Sequence, residues 1–292
     1  MDKFIDLHTH STVSDGTMTP SELVRHAKKS GLSAIALTDH DTIDGVDEAM
    51  KEGKSAGIEV IAGVEISADF APHSEMHLLG YFFDGNHKNI TSLLERLKAS
   101  RDERNPKIIK KLNELGIDIT LEEVKAEAKD KLVGRPHIAS VLVKKGYVKN
   151  ISEAFEKYIS VGRPAYVKRE KLLPKEAIEE IKKCGGIPVL AHPIYLGVRT
   201  IEELNALLKE LKGYGLEGIE VFYSDNMPHE TILFLKLAVE YDLVPTGGSD
   251  FHGYLKPHIS IGTGRGDLYV PYKVLEEMKK LAEKKGRVKS YE

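Results

Sequence analysis

Asp6-Leu-His-Thr-His10 grows out of a short apolar run, Phe4 to Leu7, and passes at once into Ser11-Thr-Val-Ser-Asp15-Gly16. The run reads as a buried strand. Side chains two apart on a strand share a face, so His8 and His10 can reach one ion together. Neutral imidazole is the commonest metal ligand, and Asp15 adds a hard oxygen for a second ion. A single His-x-His pair is weak evidence, because two histidines at a strand end are often only partly exposed surface groups. Its weight comes from later strands that end in the same kind of residue.

Thr19-Pro-Ser-Glu22 is a capping box, and it opens a helix that lasts until Gly31. Ala34 to Leu37 is a second apolar run, delivering Thr38-Asp39-His40-Asp41 at its end. A helix from Val46 to Ala56 stops at Gly57, and Val60 to Val64 forms a third strand ending in Glu65. An unpaired carboxylate at the end of a buried strand is costly, so a bound cation is a sensible companion. Ala68 to Glu75 reads as a loop, and Met76 to Phe83 as a strand that His77 starts rather than ends. His73 competes with His77 as a ligand, but a strand fixes its ligand better than a loop does.

From Ile90 to Leu115 the pattern is one long amphipathic helix, interrupted or kinked near Pro106. Between Gly116 and Tyr166 the strand-helix alternation lapses into three shorter helices, starting at Thr120, at Pro136 and at Ser152. Residues 100–166 are therefore expected to be a helical insertion between two parts of a barrel, 1–99 and 167–292. Inside it, Gly134-Arg135-Pro136-His137 is a loop-to-helix junction where an arginine and free backbone N–H groups could hold an anion, or where the arginine is merely solvated. Lys168 and Arg169 form a second basic candidate. Alternation then resumes. Ile187 to Ala191 ends in His192, Gly218 to Phe222 is a strand, and Leu243 to Thr246 feeds Gly247-Gly-Ser-Asp250-Phe-His252.

A net charge of -3 with 30% charged residues argues against a basic groove for long duplex nucleic acid, leaving small anionic ligands open. The single cysteine, Cys184, has no disulfide partner and reads as a small buried apolar residue. With no signal-like start and no apolar run of spanning length, a cytoplasmic protein without a membrane partner is expected.

Seven strand-like runs separated mainly by helices imply an α/β barrel of parallel strands, whose chemistry collects at the C-terminal rim. His8, His10, Asp15, His40, Glu65, His192, Asp250 and His252 all fall at or just past strand ends. Adding His77 gives too many ligands for one ion, and the set suits two or three with Glu65 bridging. His26, His87, His229 and His258 are read as surface residues. Imidazole and carboxylate without thiolate suit Mn, Zn or Fe. Adjacent ions of this kind lower the pKa of a bridging water and neutralise phosphoryl oxygens, so phosphoester hydrolysis is the expected chemistry. Asp15, His192 and His252 are the candidates for a direct catalytic part, the two histidines being placed to protonate a leaving oxygen.

These motifs, together with Gly63-Val-Glu65, His77-Leu-Leu-Gly80 and Ala191-His-Pro193, resemble the polymerase and histidinol phosphatase (PHP) superfamily in the same order over nearly the whole chain. The resemblance implies a distorted seven-stranded (β/α)7 barrel and a trinuclear metal centre. It assigns His8, His10, Glu65 and Asp250 to one site, Asp15, His40, Glu65 and His252 to a second, and His77, His192 and Glu65 to a third. The helical insertion with its Gly-Arg-Pro-His is similar to the branch of 3',5'-nucleoside bisphosphate phosphatases and 5'-to-3' exoribonucleases. That likeness implies a nucleotide or short RNA 5' end as substrate, with Arg135 and His137 on its phosphate. Histidinol phosphatase, and a non-catalytic metal-stabilised module working beside a polymerase, are the alternatives.

Overall fold

Seven strands form one sheet in the order of the sequence. They are β1 (Ile5–Thr9), β2 (Ala34–Leu37), β3 (Glu59–Phe70), β4 (Ser74–Phe82), β5 (Ile187–Leu190), β6 (Gly218–Tyr223) and β7 (Val244–Gly248). The computed structural model describes residues 3–70, 74–83, 85–128, 133–169, 171–198 and 200–287. The alternative ligand His73 lies outside the described residues. Just past β7 the backbone meets β1 again, with the Asp250 N–H on His8 O at 2.8 Å and the His10 N–H on Phe251 O at 3.0 Å. The sheet thus curls into a distorted barrel.

The strands are not all parallel as expected. β4 pairs antiparallel with both β3 and β5, while the other neighbours run parallel. The reason is the connection. Only three residues separate β3 from β4, and so short a link can only join antiparallel strands. The stretch from Ala68 to Glu75, expected as a loop, is mostly ladder, with Phe70 opposite Ser74. Reversal of β4 also explains why His77 begins its strand. The start of an antiparallel strand lies on the same rim as the ends of its parallel neighbours.

Among the described residues the helices are α1 (Pro20–Lys29), α2 (Val46–Ala56), α3 (Thr91–Glu114), α4 (Leu121–Glu127), α5 (Arg135–Lys144), α6 (Ile151–Ala154), α7 (Pro174–Lys183), α8 (Ile201–Tyr214), α9 (Pro228–Glu240) and α10 (Lys273–Lys284). α1 starts with the anticipated capping box, and α2 ends at Gly57 in the left-handed conformation. The helix expected from Ser152 is one α turn, α6, followed by a wider π turn over Phe155–Ile159. Such turns are frequent at functional sites.

Apolar side chains divide between the inside and outside of the barrel and a separate cluster. Leu93, Leu94 and Leu97 of α3 pack with the barrel helices, whereas Ile108, Ile109 and Leu112 pack with Val124, Ile138, Leu142 and Ile159. Pro106 lies between the two halves of α3. Cys184 is buried, as expected. His87 is not a surface residue: the 3-10 turn over Asn86–Ile90 buries it, with Nε2 3.3 Å from Asp47 Oδ1. No helix among the described residues is long and apolar enough to cross a membrane.

Candidate metal centre

Glu65 stands at the middle of the rim. Its Oε1 lies 2.8 Å from His77 Nδ1 and 3.0 Å from His192 Nε2, and its Oε2 lies 3.0 Å from His40 Nδ1, 3.2 Å from His10 Nε2 and 3.3 Å from His8 Nε2. Asp250 Oδ1 is 3.2 Å from His10 Nε2 and 3.6 Å from His8 Nε2. On the other side Asp15 Oδ1 is 3.3 Å from His252 Nε2, and Oδ2 is 3.8 Å from His40 Nε2. All nine residues named from the sequence therefore meet at one place.

Among the described residues, donor atoms within 4.8 Å of one another form four groups: His10, Asp15, His40 and His252; His8, His10 and Asp250; His8, Glu65 and His192; and His40, Glu65 and His77. His10 joins two of these groups, a sharing that the family pattern did not assign. The residues fit divalent cations on independent grounds. His8 Nε2, both ring nitrogens of His10, His40 Nδ1 and Glu65 Oε2 are buried without a hydrogen-bond partner. Buried polar atoms are almost always satisfied, and divalent cations at this rim would take up the lone pairs that face it. Burial pushes His40 down to about 3, favouring the neutral imidazole that ligates. Burial also opposes charge on His10, but Asp250 and Glu65 push it up to about 9, marking a place where positive charge is wanted.

The surrounding chain holds this rim rigidly. Asp6 is fully buried and serves the backbone: Oδ1 accepts from Ser249 N at 2.9 Å, and Oδ2 accepts from Ser249 Oγ at 2.5 Å and Gly262 N at 2.7 Å. Asp39 similarly accepts from Ser11 N, Ser11 Oγ and Ser14 Oγ at 2.8, 2.6 and 2.5 Å. Asp41, His192 and Asp250 have φ of 51°, 26° and 57°, a region that non-glycine residues avoid unless their surroundings impose it.

Several contributors were not singled out from the sequence. Glu220 sits inside β6 and binds His8; its signal is the same as that of Glu65, an acidic residue in an apolar strand. Lys256 Nζ and the Tyr223 hydroxyl reach Asp250 Oδ2 at 2.6 and 2.9 Å. Arg101 and Arg104 continue the buried stripe of α3 two turns beyond Leu94 and Leu97, and that spacing could have revealed them.

Beside the rim lies a cavity of about 180 Å³ lined by Arg101, Arg104, Arg135 and Arg169 together with Asp41's neighbour His40 and with Glu75. Arg101 Nη2 and Arg169 Nη2 both reach Asp41 Oδ2, at 2.6 and 2.8 Å, and hold that carboxyl well below the ordinary range against the effect of burial. Arg135 Nη2 donates to Glu75 at 2.8 Å, and its guanidinium lies over the Phe155 ring. Arg104, facing the other arginines, is pushed down to about 8 by burial and by their charge. His137 Nδ1 accepts the Gly134 N–H at 3.0 Å and caps α5, and the buried ring feels the charges of Asp15, Arg101 and His252. Lys168 is 69% exposed and paired with Asp69, and the lining position goes to the adjacent Arg169.

A rim rich in imidazole and carboxylate, with a cationic wall next to it, suits cleavage of an anionic ester, and this makes the protein a metal-dependent phosphoesterase. Comparison with known proteins gives the family. The PHP domain model matches residues 6–187, and the chain belongs to the PHP family. It is 40% identical over 252 residues to a 5'-3' exoribonuclease of Haemophilus influenzae, covering 86% of this chain and 91% of that one. It is 32% identical over 250 residues to a 3',5'-nucleoside bisphosphate phosphatase of Chromobacterium violaceum, covering 85% and 87%. A solved structure from Bifidobacterium adolescentis, provisionally described as a metal-dependent phosphoesterase, superposes with a TM-score of 0.84 at 31% identity over 99% and 98% of the two chains. The chain is accordingly a phosphoric ester hydrolase.

Proposed function

We propose that this hydrolase acts on nucleotides that carry a phosphate besides the one cleaved, as a 3',5'-nucleoside bisphosphate 3'-phosphatase, a 5'-to-3' exoribonuclease on short 5'-phosphorylated RNA, or both. The observation that carries the reading is the arginine cavity. Arg169 is only 6% exposed, yet its Nε and Nη1 have no hydrogen-bond partner, and it shares the cavity with three further arginines against the carboxylates of Asp15 and Glu75. Buried N–H donors without an acceptor are costly, and a phosphate accepts several such donors at once. The names of the two relatives, one acting on RNA and one on bisphosphorylated nucleosides, support the same class.

In this reading His8, His10, Asp15, His40, Glu65, His77, His192, Asp250 and His252 hold two or three divalent cations, Mn, Zn or Fe. When bound, such ions supply Lewis acidity, activating water and neutralising phosphoryl charge. Arg135 and Arg169 fix the second phosphate and so set the scissile one against the rim. His192 and His252 face the same opening, and whichever of the two is not held by a cation is available to donate a proton to a leaving oxygen. Residues 100–166 act as an insertion covering the cleft, with Pro136, Ile151 and Phe155 lining its wall and limiting water.

The test is hydrolysis by metal-reconstituted protein of a 3',5'-bisphosphorylated nucleotide, a 5'-phosphorylated short RNA and histidinol phosphate side by side. Product from either nucleotide substrate is expected. Product from histidinol phosphate alone would overturn the assignment.

A further inference from the structure

A second cavity, about 260 Å³, adjoins the arginine cavity and shares Asp15, His40, His77, Pro136 and Phe155 with it. Its character is different. Beyond the metal-binding residues it is walled by Ile151, Phe155, Tyr195 and Leu255, with Lys256 as its one basic side chain. Tyr195 is 52% exposed, an unusual position for so large a ring beside a buried centre.

That ring is held in place. The 3-10 turn Pro193–Leu196 carries it directly after His192. Its hydroxyl donates to Asp225 Oδ2, and Asp225 Oδ1 accepts from Arg265 Nε at 2.5 Å. The ring meets Tyr223 edge-on at 5.9 Å and lies 5.6 Å from His192, tilted by 56°. With its polar tip occupied and its edges braced, Tyr195 offers the opening a fixed aromatic face. Phe155, on the π turn, supplies apolar surface from the insertion.

Resting on the nucleotide reading above, we propose that this aromatic cavity is the subsite for a nucleobase, with Tyr195 as its stacking platform and Phe155 as the second apolar wall. The two cavities then orient the substrate. The terminal phosphate occupies the arginines, the scissile ester lies over the rim, and the base lies between Tyr195 and Phe155. Carbon surfaces with few hydrogen-bonding groups recognise the π face that every base has, so the site takes any base. An enzyme that removes successive nucleotides requires that tolerance.

The experiment compares adenosine 3',5'-bisphosphate with base-free ribose 3,5-bisphosphate, using wild type, Tyr195→Ala and Tyr195→Phe at saturating metal. Loss of one stacked base contact predicts that Tyr195→Ala raises KM for the nucleotide about tenfold more than for the base-free compound, with kcat less affected. Tyr195→Phe, which keeps the ring, should recover most of the difference. Equal effects on both substrates, with wild type active on the nucleotide, would overturn the base subsite alone. A wild-type enzyme that hydrolyses neither compound nor a 5'-phosphorylated short RNA would overturn the nucleotide reading and this inference with it.

Discussion

Glu220 Oε1 lies 2.9 Å from His8 Nδ1, and its Oε2 accepts the backbone N–H of His192 at 2.7 Å. One fully buried carboxylate therefore fixes two metal-binding positions. It makes Nδ1 of His8 the donor and leaves Nε2 free to face Glu65 and Asp250, and it steadies the strained backbone of His192.

Glu220→Gln should weaken divalent metal binding by about 10- to 100-fold, the usual cost of losing such a partner. Competition against a chromophoric chelator measures this directly. An affinity equal to wild type would mean that Glu220 is only a buried structural acid.

Arg169→Met should raise KM for a 3',5'-bisphosphorylated nucleotide by roughly ten- to a hundredfold, the worth of charge-assisted hydrogen bonds to one phosphate. Metal content, read by elemental analysis, should stay at the wild-type value, since the guanidinium contacts Asp41 and not the rim. A KM equal to wild type would return Arg169 to the status of an ion-pair partner.

Gly248 admits β1 very closely. A Cβ there would stand 2.3 Å from the His8 backbone nitrogen and 2.4 Å from His8 Cβ. Because backbone and not a flexible side chain is in the way, Gly248→Ala should cost about 1–3 kcal/mol in stability. It should also displace His8 enough to lower metal content. Urea unfolding and elemental analysis read the two effects, and a variant matching wild type in both would contradict the close approach.

Glu217 links the barrel to the C-terminal segment, with Arg287 Nη1 at 2.5 Å and Lys285 beside it. Burial pushes the carboxyl up, but the two cations outweigh it and hold it below its ordinary 4.5. A group lowered on folding contributes stability above its unfolded value, and that contribution disappears as pH falls through the folded value. The stability difference between wild type and Glu217→Gln should thus be full at pH 7 and shrink below about pH 4.5. Urea midpoints for both proteins across that range check it, and a constant difference would show that the ion pairs contribute nothing.

The sequence made the rim legible because its residues repeat one local signal. His8, His40, Glu65 and His192 each end an apolar run, and barrel closure alone brings such ends together. The direction of β4 was not legible from periodicity, which is the same for parallel and antiparallel strands; the lack of a helix between β3 and β4 was the available cue. Glu220 escaped notice because it lies within its strand and not at the end, and Arg101 because its charge masks a place on a buried helix face. That Arg169 lines the arginine cavity while Lys168 is largely exposed turns on which of two neighbouring side chains points inward. Irregular backbone between the insertion and α7 carries no period that would settle that choice.

The most direct measurement is phosphate release from a 3',5'-bisphosphorylated nucleotide by protein first stripped with chelator, with its metal content verified, and then reloaded with a divalent cation. Release that disappears on stripping and returns on reloading is the expected result, because the buried imidazole nitrogens and Glu65 Oε2 that lack a hydrogen-bond partner are matched to a cation. Undiminished release from verified metal-free protein would contradict a metal-dependent centre at this rim.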